Sequence, residues 1–193
     1  MSDDLTLIAY NYLLTRFEGA THLSAGKLRA WNGATVENLV DIIFSACKDK
    51  YLNNELTITV GSKSPIILID ENNNSIAESV DRHIYKNGDI ICVIECKTYL
   101  DKCYMQRADS DFHYMKKYMP NSTDRIIVSL ENSIADSSYN FFLNQDNITK
   151  VFYLASGKRN SSANKRIYYH PERLQFNLIE AFVSYIENLF IEK

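Results

Sequence analysis

The chain has 193 residues, 46% of them hydrophobic and 12% aromatic, enough for one globular unit with a sizeable core. Its 21 basic and 24 acidic side chains leave a net charge of −3, which argues against a strongly basic nucleic-acid coat. It leaves room for a site that gathers carboxylates to cut phosphodiesters. No run of about 18 apolar residues occurs, and the acidic start Met1-Ser2-Asp3-Asp4 is unlike a basic secretory leader, so a cytoplasmic protein is expected, with no membrane span.

Residues 4 to 18 predict a helix opened by acids and stopped at Gly19. Residues 24 to 33 read as a polar loop carrying Lys27, Arg29 and Trp31. A second helix is expected over 35–50, capped by Thr35, with Val36, Leu39, Val40, Ile43, Phe44 and Cys47 on one face. Residues 56–60 alternate as a strand, 66–69 form an apolar strand, and 71–75 form a loop. Val80 to Tyr85, a Lys86-Asn87-Gly88 turn and Asp89 to Lys97 carry the signature of a β-hairpin.

Helical character returns over 101–119 and stops at Pro120. Arg125–Leu130 and Val151–Ala155 are two further buried strands, and Pro171 opens a last amphipathic helix through Leu174, Leu178, Phe182, Ile186 and Phe190. The expected fold is α/β, a central mixed sheet flanked by helices, in a single domain over 1–193. Its core spans about 33–155 and is followed by a basic loop and helix over 156–193. Cys47, Cys92, Cys96 and Cys103 lack both a C-x-x-C pair and zinc-ligand spacing with His, so reduced, mostly buried thiols are expected.

The chemistry concentrates between Ser79 and Lys97. Ile90 to Ile94 are five apolar residues in a row, a strand buried on both faces, and Glu95 and Lys97 interrupt it at spacing two on a single face. Charged groups near a buried strand end are costly unless something binds them, and a divalent cation with a phosphate would. Asp81 reaches that face only for certain hairpin turns. A two-residue Asn87-Gly88 loop sets Asp81 opposite Ile94, on the wrong side. A three-residue loop with a left-handed Gly88 pairs Tyr85 with Asp89 and Asp81 with Val93, leaving Glu95 diagonal on the same face. The reading requires the second turn. Two such carboxylates, about 4–6 Å apart, can share one Mg²⁺. The carbonyl of Cys96 is a further ligand, and Lys97 is placed to orient the attacking water.

Asp81 before one strand and Glu95-Cys96-Lys97 at the end of the next resemble the PD-(D/E)XK nuclease superfamily, with Val80 in place of the usual Pro. The resemblance implies metal-dependent hydrolysis of DNA to 5′-phosphates. It also implies an extra metal ligand on the preceding helix, a role that Glu37 fits. Within the superfamily, Glu95 to Lys102, Lys27 to Gly33 and the basic Gly157-Lys158-Arg159 are similar to type II restriction endonucleases, notably a DdeI-like group. That likeness implies double-stranded DNA as substrate and a homodimer, or a heterodimer with a second nuclease subunit, beside a cognate DNA methyltransferase.

Bland alternatives stand beside each assignment. Glu-x-Lys on a strand can be a plain ion pair, and a Glu in a helix's first turn is stabilised by the helix dipole without metal. Asp70 reads as a strand-end cap and Asp89 as a turn residue. His83 and His113 read as ordinary surface or half-buried histidines. Lys27, Arg29, Lys158, Arg159, Lys165 and Arg166 are candidate DNA contacts against a background of solvated loop charges. Two rival functions remain at this stage, a repair or junction-resolving nuclease that reads DNA shape and a catalytically silent partner subunit.

Overall fold

The computed structural model describes residues 3–20, 25–53, 55–157 and 173–191. In chain order these form α1 (Asp3–Ala20), α2 (Ala25–Tyr51), β1 (Leu56–Val60), β2 (Ile66–Ile69), β3 (Ser75–Glu78), β4 (Arg82–Lys86) and β5 (Asp89–Leu100). Then follow α3 (Lys102–Lys116), β6 (Asp124–Asn132), α4 (Asp136–Leu143), β7 (Lys150–Tyr153) and α5 (Phe176–Ile191). A five-stranded sheet runs in the order β1-β4-β5-β6-β7. The β1, β4 and β5 pairings are antiparallel and β5, β6 and β7 run parallel, so the sheet is mixed, as the sequence leads one to expect. β2 and β3 pair separately as a small antiparallel hairpin.

The run Ile90–Ile94 feeds both faces of this sheet. Cys92, Ile94 and Cys96 enter a core with α1, α2 and α5, where Leu13, Leu39, Ile43 and Phe182 are buried. Val93 enters a second core with Met105, Ala108, Phe112 and Met115 of α3, Phe142 of α4 and Leu68 of β2. Helices therefore cover both faces, and the alternation along β5 assigns Glu95 and Lys97 to the α3 side.

α2 begins ten residues before the expected Thr35 cap, and 25–33 is helical rather than a loop. The reason is tertiary. Arg16 of α1 lies over the Trp31 ring at 3.4 Å and donates to the Trp31 carbonyl and to Thr35 Oγ1. Thr35 itself donates back to Trp31 O at 2.7 Å, as a hydroxyl does inside a helix. At the other end, α5 starts at Phe176, and Leu174 forms a bridge to Ala155 instead of opening the helix. Residues 75–78, partly read as loop, are β3, and α4 was not foreseen.

The β4–β5 turn also differs from expectation. Lys86 pairs with Asp89, so the loop is the two-residue Asn87-Gly88. Both residues are left-handed, with φ of 52° and 92°, as a turn matched to strand twist requires. The register then shifts between Ile84 and Tyr85: Tyr85 faces Ile90 while Ile84 faces Cys92, leaving Ile91 as a bulge. Arg82 faces Ile94. Asp81 consequently precedes a strand residue paired just before Glu95, and not one paired with Cys92. The parity that the site requires is restored by a bulge rather than by a longer turn. Gly88→Ala is expected to lower stability by about 1 kcal/mol through its positive φ, with space for the methyl group; a denaturant midpoint equal to wild type would contradict this.

Candidate active site

β4 begins only at Arg82, opposite Ile94, but β5 runs on to Leu100, so one edge of β5 from Glu95 onward lacks a β4 partner. Asp81 fills the first place on that edge with its side chain. Its Oδ2 accepts the Cys96 N–H at 2.7 Å. Because N–H and C=O of one strand residue leave on the same side, the Cys96 carbonyl turns toward Asp81 as well.

Asp81 is fixed by its backbone too. Its carbonyl accepts from Arg82 Nη1 at 2.7 Å and from Gly61 N–H at 3.3 Å. Gly61 is obligatory for this approach, since a Cβ there would lie 1.7 Å from the Val80 carbonyl oxygen. His83, expected at or near the surface, is fully buried beside it, and its Nε2 accepts the Val80 N–H at 3.3 Å. Burial holds the His83 imidazole below its ordinary pKa.

Asp81, Glu95 and Lys97 meet at one point. Lys97 Nζ is hydrogen-bonded to Glu95 Oε1 and lies 3.7 Å from Asp81 Oδ2. Glu95 and Lys97 are largely enclosed, whereas the Asp81 side chain retains 30% exposure and opens the cluster to solvent. Burial pushes the Glu95 carboxyl up to about 7, with Lys97 pulling it down and Asp81 adding to the rise. For Lys97 burial acts against the charge, but Glu95 and Asp81 outweigh it and hold the ammonium above its ordinary value. Both groups therefore hold protons more tightly than usual. When all three are ionised, one ammonium serves two carboxylates and the cluster lacks one positive charge, which is what the raised Glu95 carboxyl relieves by keeping its proton. Tyr104 of α3 has its ring 6.0 Å from Lys97 Nζ and forms the wall on that side.

Glu37 is not gathered with these groups. It sits on the α2 face of the sheet, where its Oε2 accepts from Arg82 Nη1 at 3.0 Å. Asp41 one turn later takes Arg82 Nε and Nη2 at 2.7 and 2.8 Å. Sequence reasoning missed Arg82 and Asp41. The available signal was a cation on the apolar side of β4 facing acids at helical i, i+4 spacing. The Cys96 thiol faces the same layer and is pushed well up by burial, so only its backbone can serve a cation. Among the described residues no three or more His, Cys, Asp or Glu side chains gather as a metal cage.

Asp70 caps the β2–β3 turn, accepting from Asn72 and Asn74 N–H, as expected, whereas Asp89, expected in the turn, is the first residue of β5 and pairs with Lys86 because the loop is only Asn87-Gly88. His113 is exposed, with Nδ1 3.3 Å from Asn147 Oδ1. The four cysteines are free thiols; Cys103 is exposed and the others are buried. Lys27 and Arg29 lie on the α2 backbone, but their side chains fall outside the described residues. Lys158, Arg159, Lys165 and Arg166 also lie outside the described residues. The residues flanking that segment are joined, Ser156 N–H donating to Arg173 O at 2.8 Å. Among the described residues no helix is long and apolar enough to cross a membrane.

No family model and no curated protein matches the chain. Among solved structures, a chain of the native BbvCI A2B2 tetramer is similar to it over 95% of this chain and 86% of that one. The identity is 10% and the TM-score 0.40, too distant to bear on function. Nothing in these comparisons supports the DdeI-like reading of the sequence segments.

Proposed function

We propose that this chain is a Mg²⁺-dependent endodeoxyribonuclease of the type II restriction kind, hydrolysing double-stranded DNA at a short sequence to leave 5′-phosphates. The observation that carries the reading is the convergence of Asp81 and Glu95 on a single ammonium, with the Glu95 carboxyl still held at about 7 despite that cation. The donor set fits Mg²⁺. The oxygens are hard, and this ion is usually held by one or two carboxylates with water and substrate phosphate, so a cage of three side chains is not needed. Asp81, Glu95 and the Cys96 carbonyl would hold it. Once bound, the ion supplies a nucleophilic water at neutral pH and offsets charge on the phosphate.

The protein's own groups do the rest. Asp81 and Glu95 would set the place of the ion on the β5 edge, and through it that of the phosphate. Lys97, freed from its carboxylates, donates to the phosphate oxygen and orients the attacking water. Symmetric cutting of a duplex needs two such sites, so the working unit is a homodimer or a heterodimer with a second nuclease subunit. The basic segment around Lys158, Arg159, Lys165 and Arg166, with Lys27 and Arg29, supplies the phosphate and base contacts. A cognate methyltransferase would protect the host sequence.

The test is cleavage of mixed-sequence linear duplex with Mg²⁺, beside an EDTA control. Discrete fragments that vanish with EDTA support the reading. Cutting confined to branched DNA would instead make this a junction nuclease, and no cleavage by wild type at any Mg²⁺ concentration would leave a missing partner subunit or a silent module.

A further inference from the structure

We propose that Arg82 is a positioning residue for the Asp81 carboxylate, held in place by Asp41 and Glu37 across the sheet; this rests on the nuclease reading of Asp81. Asp81 lies outside any strand, so no ladder fixes it. Its backbone carbonyl is instead gripped by Arg82 Nη1 at 2.7 Å, a shorter contact than the 3.3 Å one from Gly61. The Arg82 guanidinium is in turn fully oriented. Nε and Nη2 take the two Asp41 oxygens as a fork, and Nη1 is shared between Glu37 Oε2 and the Asp81 carbonyl.

Packing alone does not call for an arginine here. The Arg82 side chain is 5% exposed, on the face where Ile84, Cys92, Ile94 and Cys96 form an apolar layer. Apolar residues that replace every member of a buried ion pair often cost no stability, whereas removing one member leaves the other unpaired. What an apolar side chain cannot do is hold the Asp81 carbonyl, and with it the angle at which the carboxylate meets the Cys96 N–H and the open site. Lysine could supply the charge but not the planar fork that engages both sides at once. The relay starts on the α2 face and ends at the cleft on the α3 face, so acids remote from the reacting atoms set the geometry of one that is close to them.

The experiment compares wild type with Arg82→Lys, Arg82→Met and Asp41→Asn. Three quantities are read: the Mg²⁺ dissociation constant by calorimetry without DNA, hydrogen exchange of the Cys96 amide without metal, and the Mg²⁺ dependence of cleavage. Groups that orient metal ligands usually change affinity by about 10–100-fold. Arg82→Lys and Arg82→Met are expected in that range, with Asp41→Asn at its lower end. The Cys96 amide should exchange faster in all three. Saturating Mg²⁺ should restore cleavage in Asp41→Asn, with KM for DNA unchanged. These shifts are expected even if Arg82→Met melts at or above the wild-type temperature, which separates positioning from folding. Wild-type Mg²⁺ affinity and wild-type Cys96 exchange in folded Arg82 variants would overturn the proposal while an active wild type keeps the nuclease reading. A wild type that neither binds Mg²⁺ nor cuts DNA would remove both.

Discussion

Lys97→Ala is expected to cut DNA about a hundred- to a thousandfold more slowly than wild type at saturating Mg²⁺, the range seen when one charge-stabilising donor is removed from a reacting oxygen. The side chain is 16% exposed and aimed between two carboxylates. No other Lys or Arg has an ion pair with Asp81 or Glu95 among the described residues. Among the described residues, then, no second cation is paired with these carboxylates to take over its role. Lys97→Arg is expected to recover little, because a planar fork does not occupy the place of a compact ammonium. Single-turnover cleavage at several Mg²⁺ concentrations checks this. A rate within threefold of wild type would remove Lys97 from the chemistry. Without its cation the Glu95 carboxyl loses the main influence that opposes burial and rises further. Lys97→Ala should consequently depend on Mg²⁺ for stability more than wild type does.

Glu95→Gln should abolish cleavage and yet stabilise the metal-free protein at alkaline pH. The sign follows from the protons. Burial holds the folded carboxyl at about 7, above its ordinary 4.5. Between those values the folded chain keeps a proton that the unfolded chain has released, so stability falls as pH rises through that window. The interval corresponds to about 3 kcal/mol, an order-of-magnitude figure for a group paired to Lys97. Lys97 does not compete in this window. Its folded pKa is raised, so what it contributes is lost only at higher pH. Glutamine carries no charge at any pH. The variant should gain about 1–3 kcal/mol over wild type at pH 8 with EDTA, and almost nothing near pH 4.5. Urea unfolding at the two pH values reads this directly, and a gain of equal size at both would refute the account. Site geometry would then be maintained at the expense of stability, as is common for reactive centres.

Much of this arrangement was legible in residue order. The apolar run Ile90–Ile94 fixed β5 as a central strand, and the two-residue spacing of Glu95 and Lys97 put them on one face whatever the rest did. Asp81 was harder. Its face depends on the number of residues in the turn and in the strand beyond it, and local signals marked the turn at Asn87-Gly88 without revealing the bulge. The start of α2 was hidden because Arg16, which settles Trp31 and Thr35, comes from another helix. Glu37, expected in the first turn of its helix, lies well inside α2, and its partner Arg82 is forty-five residues away. Such long-range pairs leave no periodic trace. α4, eight residues with two serines and no side-chain cap, carries too weak a pattern to stand out.

The bulge at Ile91 has a consequence for how the hairpin tolerates changes in length. Tyr85 faces Ile90 and Ile84 faces Cys92, so residue 91 stands between two intact stretches of ladder. Deleting it would join them into a regular hairpin with every pair on either side retained, including Arg82 with Ile94. A deletion between Cys92 and Glu95 has no such slack: it exchanges the two faces of everything that follows, sending a carboxylate into the apolar layer and a thiol into the cleft. One strand thus contains a position where an indel is absorbed, next to a stretch where the same event erases the site.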